Sequence, residues 1–196
     1  MRRWIGLVAA LALAGCGTIG GIKYGFDSGS FHRRTTALAA ACAARMQNPA
    51  FDVIRNRVEL FKSPPDGPVR FAILTDTAVP AAPEKAAIDL WAKTVEGCQR
   101  QARGLMDKIP LPPEATQSEV EKLASYITDA WIGGSKLRVA LYGGQLTYAD
   151  YANRKLTLTQ DTLAAAERYA QDTDEENETH DLEGVESALA PFLAMM

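Results

Sequence analysis

The chain has 196 residues, 47% hydrophobic and 23% charged, which supports one domain with a real core and is too short to expect two. A net charge of −3 with no basic cluster excludes nucleic acid as the natural partner. His32 and His180 are the only histidines, too few alongside three cysteines for a catalytic zinc site.

The N-terminus carries basic Arg2 and Arg3, an apolar run from Trp4 to Ala14, and small residues at its end, the three parts of a secretory signal. A membrane-spanning helix needs about 20 apolar residues, and this run is roughly half that length. It is read as a cleaved signal and left out of the fold. The tetrad Leu13-Ala14-Gly15-Cys16 resembles the lipobox of bacterial lipoproteins. That resemblance implies cleavage after Gly15 by signal peptidase II, a diacylglyceryl group on the sulfur of Cys16, acylation of the new amino terminus, and a membrane anchor. Two or three acyl chains, at about 0.8 kcal/mol per buried CH₂, make dissociation negligible. Gly17, where an aspartate would retain such a protein at the inner membrane, resembles cargo sent to the outer membrane and facing the periplasm. Loss of Arg2 and Arg3 leaves the mature chain at −5.

Residues 16–34 follow as a lipidated tether, with Gly20, Gly21, Gly25 and Gly29 and little apolar periodicity. A helix is expected over 36–47, where Leu38, Cys42 and Met46 share a face before Asn48-Pro49. A shorter one is expected over 51–60. The run Ser63-Pro64-Pro65-Asp66-Gly67-Pro68 breaks regular structure, and 69–74 reads as an extended segment laid on helices, since no second strand is present to pair with it. From Pro83, Ile88, Trp91, Val95, Cys98, Ala102, Leu105 and Ile109 recur at alternating steps of three and four. This is a heptad seam that Pro110, Pro112 and Pro113 end.

The next helix opens at Thr116 or Ser118 in capping-box spacing with Glu119 or Glu121, and carries Val120, Leu123, Ile127, Trp131 and Leu137. Gly133-Gly134 marks a kink, an end, or a close helix contact, and Gly143-Gly144 a stop. A last long helix starts at Thr147, capped with Asp150, and runs to about 171 with Ala152, Leu156, Leu163, Ala166 and Ala170 inward. Tyr148, Tyr151 and Tyr169 are expected to flank the seam with wet hydroxyls. The expected fold is all-α, an up-down bundle of about four helices over 35–171. An acidic loop and a short C-terminal helix occupy 172–196. The segment Gly144-Gln145-Leu146-Thr147-Tyr148-Ala149, with Tyr151 and Arg154, is similar to other small helical lipoproteins and implies no activity.

Cys42 and Cys98 remain after lipidation of Cys16. In an oxidising compartment an even pair favours a disulfide, whose loop closure is worth about 4 kcal/mol, over two buried free thiols. There is no G-x-S-x-G elbow and no Ser-x-x-Lys, so no catalytic residue is assigned. Scattered carboxylates such as Glu84, Glu96, Glu119 and Asp129 single out no pair. Asp172, Asp174, Glu176, Glu178, His180 and Glu183 match the spacing of a calcium loop, but Asn177 stands where glycine makes the turn. The plainer reading is a solvated charge run, and no metal or cofactor is assigned. Leu182, Val185, Leu189, Phe192 and Leu193 form an apolar stretch that packs on the bundle, or docks a partner ahead of a membrane surface, which the acidic flanks disfavour. The expected role is a non-catalytic, lipid-anchored envelope protein with a protein partner. The alternative is a small-ligand or metal-binding lipoprotein using the acidic loop or a pocket near Trp91 and Trp131.

Overall fold

The structure is a computed structural model that describes residues 28–60, 69–106 and 117–176. Those residues form an all-α bundle with no strand among them. Its helices are α1 (Ser28–Arg45), the single turn α2 (Phe71–Leu74), α3 (Ala82–Met106), α4 (Gln117–Tyr142) and α5 (Tyr148–Glu176). α1 packs on α3, α3 on α4, and α4 on α5, the most extensive pairing, while α2 sits on α5. The up-down order follows from the short connection between α4 and α5, as expected.

α1 starts at Ser28, so residues 28–34, expected in the tether, are helical. Thr35 is buried one turn before Leu38 on the face that carries Cys42 and Met46, and that contact extends the helix toward its start. After α1, Pro49–Phe51 forms a 3-10 turn, and residues 52–60 continue as turns in place of the expected helix. Arg55 reaches back to the carbonyls of Met46 (3.0 Å) and Asn48 (3.2 Å) just past α1. There its charge complements the helix C-terminus. The segment still buries Phe51, Ile54, Val58 and Leu60. Residues 69–74 are not fully extended: Phe71–Leu74 closes one helical turn behind Arg70, burying Ile73. With no strand to pair with, the backbone satisfies itself locally.

The α3 seam is buried as the heptad predicts at Ile88, Trp91, Val95, Cys98 and Ala102. At its end Met106 replaces Leu105 as the buried residue. A straight helix at 3.6 residues per turn drifts about 20° per heptad against a 3.5 repeat, which moves the seam one residue along. Ile109 lies outside the described residues.

α4 runs unbroken through Gly133-Gly134. The glycine at 133 admits α5: a Cβ there would stand 2.8 Å from Cδ2 of Leu158. α4 ends in a Schellman turn, with Gln145 N–H donating to Ala140 O (2.9 Å), Gly144 N–H to Leu141 O (3.0 Å), and Gly144 at φ +73°.

The start of α5 satisfies all its free amides. Tyr148 N–H donates to Ala78 O (3.0 Å) and Ala149 N–H to Asp76 O (2.8 Å), while the Thr147 hydroxyl accepts from Asp150 N–H (3.0 Å) and donates to the Asp150 carboxylate (2.8 Å). α5 continues to Glu176, past the expected end near 171, so Asp172, Asp174 and Glu176 lie on a helix and not in a loop. Glu178, His180 and Glu183 lie outside the described residues.

The core has two parts. One gathers Cys42, Cys98, Ala102, Ile127, Trp131 and Ala166 from all four long helices. The other packs the 46–60 segment against α3 around Trp91 and against the start of α5. Trp91 is fully buried, donates Nε1 to Leu60 O (3.1 Å), and meets Tyr151 edge-on at 5.9 Å. Tyr148 and Tyr151 are buried at 0% and 1% exposure, where wet hydroxyls were expected: the 76–78 backbone bonds to the first turn of α5 at Tyr148, and Tyr151 packs on Trp91 in the same cluster. The hydroxyl of Tyr151 is pushed up to about 12 by burial.

Candidate functional site

Two arrangements of polar side chains stand out. The first is a clamp around Arg57. Its Nε and Nη2 donate to the two carboxylate oxygens of Asp76 (2.7 and 2.9 Å), and Nη1 donates to Glu84 (2.5 Å). The guanidinium plane lies over the Tyr148 ring, 4.4 Å from its centroid. Asp76 also accepts the Ala78 amide (3.1 Å), and Glu84 the Ala81 amide (2.7 Å).

The clamp is a site by composition and a structural joint by geometry. The hydrogen bond from Arg57 leads in holding the Asp76 carboxyl below its ordinary range. Burial works to raise Glu84, but the Ala81 amide and Arg57 outweigh it and leave it lowered as well. Both carboxylates are therefore ionised at neutral pH and tied to donors on both oxygens, so neither carries a proton for acid catalysis, and their charge is committed to Arg57. The Tyr148 phenol, raised first by burial and then by the Glu84 charge, makes no hydrogen bond of good geometry.

The second arrangement is a groove of about 580 Å³ between α3 and α4. Glu96, Gln99, Arg100 and Arg103 contribute one face of α3 at helical spacing. From α4, Trp131, Ile132, Val139 and Ala140 supply an apolar floor, and Lys136 stands among them. Arg103 Nη2 crosses to Thr128 Oγ1 (3.4 Å) at one end, and Gln145 of the Schellman turn closes the other. Ile132 is 49% and Val139 70% exposed, two apolar side chains seven residues apart that the core does not use. Three cations against one carboxylate make the groove a basic strip on an acidic chain.

Of the residues singled out from sequence, Cys16 lies outside the described residues. The sulfurs of Cys42 and Cys98 sit at disulfide distance with Cα atoms 6.0 Å apart, joining α1 to α3 as the favoured reading held. Trp131, a core residue only 4% exposed, also edges the groove, whereas Trp91 is wholly buried away from it. The carboxylates part company: Glu84 is in the clamp, Glu96 in the groove, and Asp129 is exposed on α4. Arg100, Arg103, Ile132, Lys136 and Val139 were missed. Their signal was available in α4, where Ile132 and Val139 fall off the Ile127 and Trp131 stripe. Among the described residues no group of His, Cys, Asp and Glu is placed to hold a metal ion, and no helix is long and apolar enough to cross a membrane. No protein-family model, curated protein or solved structure matches the chain.

Proposed function

We propose that this is a non-catalytic lipoprotein of the bacterial envelope, anchored in the outer membrane through lipid on Cys16 and facing the periplasm, whose helical domain binds a protein partner in the α3/α4 groove. The observation that carries the reading is the groove itself, an exposed apolar floor with a basic rim and the length of three helical turns. Such a surface suits an amphipathic helix with acidic flanks. The signal and the Leu13-Ala14-Gly15-Cys16 tetrad support the anchor.

Two measurements test it. Cys16→Ser should move the protein from the membrane fraction to the soluble periplasm, and continued membrane association would sink the anchor. A photo-crosslinker at Val139 in the native host should give a discrete adduct that Arg100→Glu and Arg103→Glu together abolish. Recovery of the uncrosslinked chain alone would count against the partner.

A second reading, a small amphipathic anion held over Trp131 by Arg100 and Lys136, is favoured by the groove volume. It predicts quenching or shift of tryptophan emission by a medium-chain carboxylate, absent in the Arg100→Glu protein.

A further inference from the structure

α1 holds to the bundle by a narrow strip. Among residues 33–45, Thr35 and Cys42 alone are buried, Leu38, Ala39 and Ala43 are half-buried, and the rest are exposed. The helix packs on α3, and Leu38 and Cys42 are the apolar side chains it gives to the first part of the core. Most helical stability in a folded protein comes from packing and not from propensity, and the packing of α1 is thin. The other long helices do not depend on it, since α3 packs on α4 and α4 on α5.

The covalent link is therefore the main tie. Cys42 and Cys98 join α1 to α3 across 56 positions. Just past α1 the chain is fixed again: Met46, Phe51 and Ile54 are buried in the second part of the core, and Arg55 holds the carbonyls of Met46 and Asn48. A boundary between a thinly packed helix and a well-packed segment falls at Arg45-Met46, where one cooperative unit can separate from the next.

The chemistry at the link has a direction. Cys42 and Cys98 are 0% and 1% exposed, so a reductant meets the sulfurs when α1 opens locally. Arg45 Nη1 donates to Cys98 Sγ at 3.8 Å. A guanidinium there favours negative charge on Cys98, which makes that sulfur the better leaving group. The thiolate of a dithiol attacks Cys42 Sγ, the S–S bond breaks, and its electron pair leaves on Cys98 Sγ. The second thiol of the reductant then attacks the mixed disulfide and closes its own ring. The reductant gives up two electrons and two protons, and the protein gains two thiols.

We propose that the Cys42–Cys98 disulfide is a redox latch: reduction by a dithiol releases α1 as a unit, while α3, α4 and α5 stay folded. Release uncovers the part of the core that Leu38 and Cys42 seal. It also turns the 18 residues of α1 into a further length of tether, about 27 Å as helix and up to about 60 Å extended. With lipid on Cys16, reduction then lengthens the reach of the domain from the membrane. That consequence rests on the Cys16 anchor, whereas the release of α1 does not.

The test is amide hydrogen exchange read by mass spectrometry on the full chain with Cys16→Ser in detergent, oxidised and after dithiothreitol. Amides of residues 33–45 should exchange roughly a hundredfold faster after reduction, and those of 127–142 and 148–166 should stay within about threefold. Cys42→Ala with Cys98→Ala should match the reduced chain with no reductant present. Unchanged protection of 33–45 overturns the proposal, since packing alone would then hold α1. Equal loss in every helix also overturns it, because the pair would then hold the whole bundle. So does a disulfide that dithiothreitol reduces only within the urea unfolding transition, where the sulfurs open with the bundle and not with α1. Arg45→Glu should slow reduction roughly tenfold and leave exchange in the oxidised chain unchanged; an unaltered rate would overturn Cys98 as the leaving sulfur. Membrane association retained by Cys16→Ser, which sinks the anchor, leaves each of these readings intact.

Discussion

Gly133→Ala should destabilise the bundle, although alanine is the better helix former. In an open helix interior the change gains about 1 kcal/mol. At 133 the added Cβ would lie 2.8 Å from Cδ2 and 3.1 Å from Cδ1 of Leu158, with Cγ at 3.5 Å. Relief comes from turning the half-buried Leu158 side chain, which gives up part of its packing against the core, or from a small shift of α5. Overpacking of this kind costs about 1–3 kcal/mol, so the net effect is a loss of about 1 kcal/mol. Leu158→Ala removes the obstacle, and in that background Gly133→Ala should gain about 1 kcal/mol. The two changes are thus coupled by about 2 kcal/mol. Urea unfolding followed by far-ultraviolet circular dichroism on the four proteins of the cycle measures this. A stabilised Gly133→Ala in the parent, or a coupling under about 0.5 kcal/mol, would refute the close-approach account of this glycine.

Reducing the Cys42 and Cys98 pair, or replacing both with alanine, should lower stability by about 2–4 kcal/mol through release of the 56-residue loop, measured as the urea midpoint with and without reductant. Asp76 and Glu84 both have folded values below their ordinary 3.8 and 4.5, so their contribution is complete above about pH 5 and is lost as pH falls through that range. Melting temperature should drop on acidification, and Arg57→Gln should flatten that dependence; an unchanged slope would remove the clamp from the account. Tyr148→Phe keeps the ring under Arg57 and deletes a buried hydroxyl with no bond of good geometry, so thermal stability should be unchanged or higher by up to about 1 kcal/mol. A loss above 1 kcal/mol would show that the hydroxyl is bonded.

What was legible in the sequence was local. The α3 seam, the Thr147 and Asp150 cap and the Gly144 stop each sit within a few residues of their partners, and periodicity or turn chemistry finds them. The Arg57 clamp was not legible, because Arg57 meets Asp76 and Glu84 across 19 and 27 positions and only the folded loop brings them together. The same loop bonds to the start of α5 at Tyr148, and Trp91 packs on Tyr151, so a rule that wets tyrosine hydroxyls at a helix flank failed where tertiary cover won. Residues 52–60 show the opposite failure. Their apolar spacing is roughly helical, but Arg55 and Arg57 are drawn to carbonyls and carboxylates on either side, and the backbone follows as turns. The groove lies between these cases: half of it was visible as Ile132 and Val139 off the α4 stripe, and half depends on which face α3 turns outward.

That groove is framed by two helices the fold holds at several points. α3 is tied to α1 at Cys98, to the 46–60 segment through the Trp91 and Leu60 bond, and to Arg57 through Glu84. α4 is held along its length by α5, with Gly133 setting the close approach. A surface held in this way loses little freedom when it is occupied, so most of the ordering cost of binding falls on whatever enters. An occupant's own helix propensity should then tune occupancy more strongly than small changes in the groove.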